Sequence, residues 1–401
     1  MDEYNDMSYF NSVMAFLRER KERAESGKYN CIPWPFPRFR ELLPGTEMGK
    51  FIIVTANQKV CKTKFCDFVF VYETIFFLMN HPEVKVKIFY FCLEEGARKK
   101  FIEFQCHLLY RLDGIIISPT ELASTDKDKP VSDHILNLLE SKRYQEYIRK
   151  FEEVVEYVDN EKNPTGINKK LREYALAHGH LNFKTIEIKD PITGKPTEKQ
   201  VVDTVNPYTP NDTELYIISL VDNAANLSLE SGLNKMQTIE KFSKYAITLR
   251  DQLNITTILV QHQAQAQEGI ENFKLGKIKP SSDGLADCKT TTRDVNMVIG
   301  LYSPFKYGLT EYEGYDITKF RNHIRFMEVI EDRDYGANGS ICPLYFDGAV
   351  SFFSELPKAN DSINIGKVYK FIDNNKLKKK SWVSLVSFSN IRNILKLKKH
   401  D

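Results

Sequence analysis

Short apolar runs separated by longer amphipathic stretches recur along this chain. Residues 51–54 (FIIV), 84–92 (VKVKIFYFC), 214–221 (ELYIISLV), 255–260 (ITTILV) and 295–301 (VNMVIGL) are each of strand length and mostly apolar. Unbroken apolarity is expected of strands covered on both faces, as in a parallel sheet. Helical spacing follows the first run (Phe65, Phe68, Val69, Tyr72, Ile75, Phe76, Met79) and the second (97–112). Residues 236–253 place Ile239, Phe242, Ala246, Leu249 and Leu253 on one face. Strand alternating with helix predicts an α/β fold built on a parallel sheet. Residues 324–330, 341–346 and 350–353 complete the strands, and 8–26 reads as a leading helix.

The stretch 118–211 is more polar. It predicts helices over 131–158 and 168–178, then two short strands around a Pro/Gly turn at 190–195. It reads as a peripheral elaboration of the sheet, not a separate domain.

Chemistry-capable residues gather where the strands end. After 51–54 comes a polar turn, then Cys61-Lys62-Thr63 at the start of a helix. Strand, loop, Lys-Thr, helix is the layout of a phosphate-binding loop, because a helix N-terminus offers free N–H groups and partial positive charge. On that reading Lys62 reaches the β- and γ-phosphates of ATP, and the Thr63 hydroxyl is a ligand to Mg2+. The loop Ala56, Asn57, Gln58, Lys59, Val60, Cys61 carries Ala56 and Cys61 where glycines are usual. A Cβ at positive φ costs about 1–2 kcal/mol. A plain core strand and helix is the alternative.

The second strand ends at Leu93-Glu94-Glu95, where Glu94 is either a ligand-site carboxylate or a helix N-terminal acid. The 214–221 strand ends at Asp222, as the carboxylate beside magnesium does in such sites, and 255–260 ends at Gln261.

Composition narrows the classes. The 401 residues suffice for one large α/β domain with additions, or two small ones. A net charge of +2 gives no bulk electrostatic argument for nucleic acid, so any basic surface is local. No apolar run nears the roughly 20 residues of a membrane span. The acidic start MDEYNDMS is not that of a signal peptide. Seven cysteines without a CxxC pair suggest reduced thiols and a cytoplasmic setting, the host's if the chain is phage-encoded. His178 and His180 read as surface histidines. The basic segments at 376–380 and 396–400 are a solvated end or a nucleic-acid contact.

Taken together, MGKFIIVTANQKVCKT, IFYFCLEEG, LYIISLVDNAANL, TTILVQHQ, GLADCKTTTRDVNMVIGLY and MEVIEDRDYGANG occur in an order that resembles the motor domain of DnaB-type replicative helicases, especially the short phage versions. The likeness runs from about residue 31 to residue 356. It implies a RecA-like P-loop core with an antiparallel C-terminal edge, working as a homo-hexameric ring on single-stranded DNA. It further implies that Glu94 activates the attacking water, that Asp222 serves magnesium, and that Gln261 senses the γ-phosphate. Arg333 would reach the ATP of a neighbouring subunit. The expected organisation is a linker-type helix in 1–30, the motor in 31–357 and a basic tail in 358–401, without the family's primase-binding N-terminal domain. Lys274, Lys277 and Lys279, in the 262–289 loop, would face DNA phosphates in the central channel or be solvated. Primase and other replisome proteins are the implied partners. The chain departs from the family at both loop glycines and at Glu331, where the finger lysine is expected. The rival expectations are a non-catalytic DNA-binding or loading ring and a recombinase- or clock-type relative.

Overall fold

The computed structural model describes residues 8–189 and 194–378. The tail segments at 376–380 and 396–400 lie wholly or largely outside the described residues, as does most of the turn expected at 190–195.

Nine strands form one sheet. They are β1 (Phe51–Ala56), β2 (Lys85–Cys92), β3 (Val155–Val158), β4 (Leu215–Asp222), β5 (Thr256–His262), β6 (Met297–Tyr302), β7 (Ile324–Asp332), β8 (Ile341–Asp347) and β9 (Phe352–Glu355). Their spatial order is β9-β8-β7-β6-β1-β5-β4-β2-β3. The strands from β6 to β3 run parallel, and β7, β8 and β9 add an antiparallel edge. The two-residue period of a strand divides the apolar runs between two layers. Ile52, Val54 and Ala56 of β1 face one core, and Phe51 and Ile53 face the other.

The first layer is built on α2 (62–78) and α3 (Ala97–Asp113), the second on α6 (Pro164–Ala177) and α7 (Lys235–Leu253). Helix α1 (Ser8–Glu25) precedes them, and α4 (Asp133–Glu140), α5 (Lys142–Val154) and a final α8 (Ser362–Lys378) complete the set of longer helices. The middle of α2, Asp67–Tyr72, is π-helical, a wider turn found preferentially at functional sites.

Two expectations are corrected. The helical pattern over 131–158 breaks at Ser141 into α4 and α5, and its last four residues are β3, which pairs with β2 from Ile88 to Phe91. The polar stretch therefore supplies a strand of the main sheet as well as the exposed ribbon Phe183–Lys189/Pro196–Val202. Helix α1 is fastened to the domain by Arg23–Glu214 (2.6 Å) and Arg20–Glu47 (2.8 Å), while Tyr9, Phe10, Val13, Phe16 and Leu17 stay exposed.

Candidate active site

All the parallel strands point their C-terminal ends the same way, so the residues that follow β1, β2, β4 and β5 meet along one rim. The loop after β1 turns sharply through Lys59 (φ 60°) and Cys61 (φ 72°). Both non-glycine residues hold the left-handed conformation that the motif's glycines normally supply. Cys61 caps α2 in this conformation. From below, the buried Arg325 of β7 donates through Nε to the Val60 carbonyl (3.2 Å). Its guanidinium also lies over the Phe346 ring, 4.5 Å from the centroid.

Lys62 is buried and turned back on its own loop, donating to the carbonyls of Ala56 (3.1 Å) and Asn57 (3.3 Å). Burial lowers its pKa to about 8, against the opposing pull of Asp222 and Glu94. Asn57 is buried, whereas Gln58 and Lys59 are exposed at the loop tip. The Thr63 hydroxyl donates to Asp222 Oδ1 at 3.2 Å. A hydroxyl and a carboxylate converging where a phosphate-binding loop opens are the hard oxygen donors magnesium prefers. No described group of three or more His, Cys, Asp or Glu could hold a metal ion by itself. A magnesium ion held by Thr63 and Asp222 would therefore complete its shell with water and phosphate oxygens.

Beneath Asp222 lies a buried ionic cluster with no warning in the sequence. Lys100 of α3 donates to Asp67 (2.9 Å) and lies 3.6 Å from Glu95, 3.9 Å from Glu103 and 4.0 Å from Asp222 Oδ2. The Tyr90 hydroxyl donates to Asp67 at 2.8 Å. Burial alone would lower the Lys100 ammonium, but Asp67, Asp222 and Glu103 raise it above its ordinary value. Burial raises Asp222 to about 6, and Lys100 is the chief influence opposing that rise.

Glu94 is exposed on the same rim and accepts from Asn223 Nδ2 (2.5 Å), which also contacts His262 Nε2 (3.1 Å). Gln261 is not brought to this rim. Its amide donates to the carbonyls of Ala286 and Cys288 (both 2.8 Å) and accepts from Thr291 (3.1 Å), buried on the α7 side of the sheet. Strand parity is the cause: on β5, Ile258 and Val260 face the α2 layer and Leu259 faces the α7 layer. The next residue, His262, shares the α2-side parity and lies close enough to Lys62 and Glu94 to be influenced by both. In a strand covered on both faces, nothing in the apolar pattern marks which parity meets the site.

Arg333 stands at the other end of the molecule. It follows β7, donates to the Arg293 carbonyl, and its N–H meets Asn296 O (3.0 Å). Asn296 in turn pairs with Phe51 at the start of β1. One six-residue strand, about 20 Å, separates Arg333 from its own phosphate-binding loop. Arg333 is exposed on a turn organised by Asp332, whose carboxylate accepts the N–H groups of Asp334, Tyr335 and Ala337. In the 262–289 loop, Lys274 and Lys277 are exposed. Lys279 is folded back toward Glu328 (3.7 Å) and the Tyr312 ring (5.2 Å).

Neither a protein-family model nor a curated protein sequence matches the chain. Solved structures do. The ATPase domain of one DnaB-like replicative helicase superposes with a TM-score of 0.60 at 13% identity, covering 88% of this chain and 100% of that domain. A second DnaB-like replicative helicase, described with its interactions with primase, superposes at 0.57 and 14% identity over 85% of this chain and 68% of its own. The chain thus has the RecA-like fold of DnaB-like helicase ATPase domains.

Proposed function

We propose that this chain is an ATP-driven motor that moves on single-stranded DNA as a ring of six copies and unwinds duplex DNA. The supporting observation is that Lys62, Thr63, Asp222 and Glu94 converge on one rim while Arg333 sits a strand's length away. A closed ring is the simplest arrangement in which every loop can meet the arginine of a neighbouring copy.

Phosphoryl transfer is mainly positioning and charge stabilisation. In this reading Lys62 leaves the carbonyls of Ala56 and Asn57 for the phosphates. Thr63 and Asp222 hold magnesium, which when bound would neutralise phosphate charge. Glu94, steadied by Asn223, orients the attacking water and takes its proton, and the partner copy's arginine meets the charge that develops. Lys274 and Lys277 are the exposed cations available to DNA phosphates. A primase partner belongs to the same reading, by likeness to the helicase that interacts with primase.

The second reading, a non-catalytic ring, is favoured by the strained non-glycine loop at Lys59 and Cys61 and by Glu331 in the finger lysine's place. Steady-state ATP hydrolysis with and without single-stranded DNA separates the two. The motor shows DNA-stimulated turnover that disappears in Lys62→Ala. Turnover no higher than that of Lys62→Ala would favour the non-catalytic ring.

A further inference from the structure

Lys306 belongs to none of the motifs discussed so far, yet it touches the phosphate-binding loop. It lies just after β6, the strand beside β1, and its ammonium donates to the Gln58 carbonyl at 2.8 Å. The same ammonium is paired with Glu268, which reaches over from the 262–289 loop. The neighbouring Tyr307 hydroxyl donates to the same Glu268 oxygen at 2.6 Å and accepts from Asn57 Nδ2 at 2.5 Å. Asn57 also donates to the Ile278 carbonyl at 2.8 Å. The tip of the phosphate-binding loop is thus tied by four side chains to the loop that carries Lys274 and Lys277.

Two cations share this mouth. Lys62, lowered chiefly by burial, is lowered further by Lys306. Burial works against the charge on Glu268, yet Lys306, Tyr307 and the more distant Lys62 hold its carboxyl below the ordinary value. Glu268 is therefore an anion supplied by the protein itself, set between the lysine of the motif and a second lysine outside it. Each ammonium satisfies itself on internal acceptors: Lys62 on Ala56 and Asn57, Lys306 on Gln58 and Glu268. A polyphosphate carries more charge than one carboxylate and offers more acceptor oxygens, so it competes for both ammonium groups.

We propose that Lys306 is a further phosphate-binding residue of the nucleotide site, and that Glu268 is the internal anion that nucleotide displaces from it, freeing the loop that carries Glu268. This rests on the reading that the loop at 56–63 takes nucleotide. Occupancy of the site is then linked directly to the freedom of the segment bearing Lys274 and Lys277. The linkage is reciprocal: whatever draws that segment away also exposes Lys306 to phosphate.

The test is titration of a fluorescent N-methylanthraniloyl-ADP with magnesium into the full chain, its Lys306→Met, Glu268→Gln and Lys62→Ala variants, with hydrogen exchange of residues 264–277 measured with and without ADP. Loss of one charge-assisted contact in Lys306→Met weakens binding about tenfold. Removing the competing carboxylate in Glu268→Gln tightens binding by about threefold to tenfold. Exchange in 264–277 rises on ADP addition in the unaltered chain and is already high in Glu268→Gln. If Lys62→Ala weakens binding while Lys306→Met and Glu268→Gln bind like the unaltered chain, this proposal falls and the nucleotide site stands. If Glu268→Gln binds more weakly, Glu268 is scaffold and not a displaceable anion. If no variant binds, both readings fall, whereas binding by Glu268→Gln alone would be the strongest support.

Discussion

The two ends of the sheet are built on opposite terms. At the C-terminal ends of β1, β2 and β4, charged groups are buried and interlocked: Lys62 on its loop, Thr63 on Asp222, and Lys100 among carboxylates. At the start of β1, Arg333 is exposed, its guanidinium donating to main-chain carbonyls, and is carried on a turn that Asp332 shapes. One end is committed to its own fold, and the other presents a cation outward. The difference teaches that burial and function separate here. Residues that act within one copy are also woven into its stability, while the residue proposed to act on a neighbour can be changed without disturbing its own domain.

That contrast breaks most visibly at Arg333. Arg333→Ala is expected to lower ATP turnover by about a thousandfold or more, the range of a finger arginine. Nucleotide affinity and the urea midpoint should stay close to those of the unaltered chain, as for surface substitutions generally. A marked stability loss would show that Arg333 serves its own fold. Lys100→Met is the converse. It leaves Asp67 buried without its cation, a situation that costs about 3–5 kcal/mol. Equilibrium urea unfolding should show that loss, and Asp67→Asn/Lys100→Met should recover part of it. An unchanged midpoint would mean the cluster is solvated and the comparison misdrawn.

Glu94→Gln sharpens the same line within the buried end, because Glu94 is exposed on its rim. Turnover should fall by about a hundredfold or more with nucleotide affinity kept, since proton transfer is lost but the phosphate contacts are not. Equal loss of affinity would give Glu94 a binding role instead. Cys61→Gly carries the smallest effect. Glycine relieves the left-handed strain but loosens the unfolded chain, so stability should change by about 1 kcal/mol or less. Activity should hold or rise. A large loss of activity would show a loop shaped around the cysteine.

How much of this was legible in the chain follows from how each feature is encoded. The strands β1, β2, β4 and β5 announced themselves because parallel strands covered on both faces are continuous in apolarity. Strand β3 did not, since VEYV extends a helical pattern without a break and only pairing with β2 makes it a strand. Asp67 and Lys100 read as ordinary helix-surface charges because nothing local records that their helices meet across Tyr90. Gln261 and His262 are adjacent, and the choice between them is one of strand parity, fixed by the layers rather than by the run itself. Lys306 and Glu268 are 38 residues apart and meet only through the folded sheet.

The central claim is that a site is completed by two copies. It is tested most directly by mixing purified Lys62→Ala and Arg333→Ala chains and measuring DNA-stimulated ATP hydrolysis. Each alone should be inactive. If copies assemble at random around a ring, an equal mixture places an intact loop beside an intact arginine at about a quarter of the interfaces, and activity should return to about that level. A mixture as inactive as its components would contradict the shared site and return Arg333 to its own subunit.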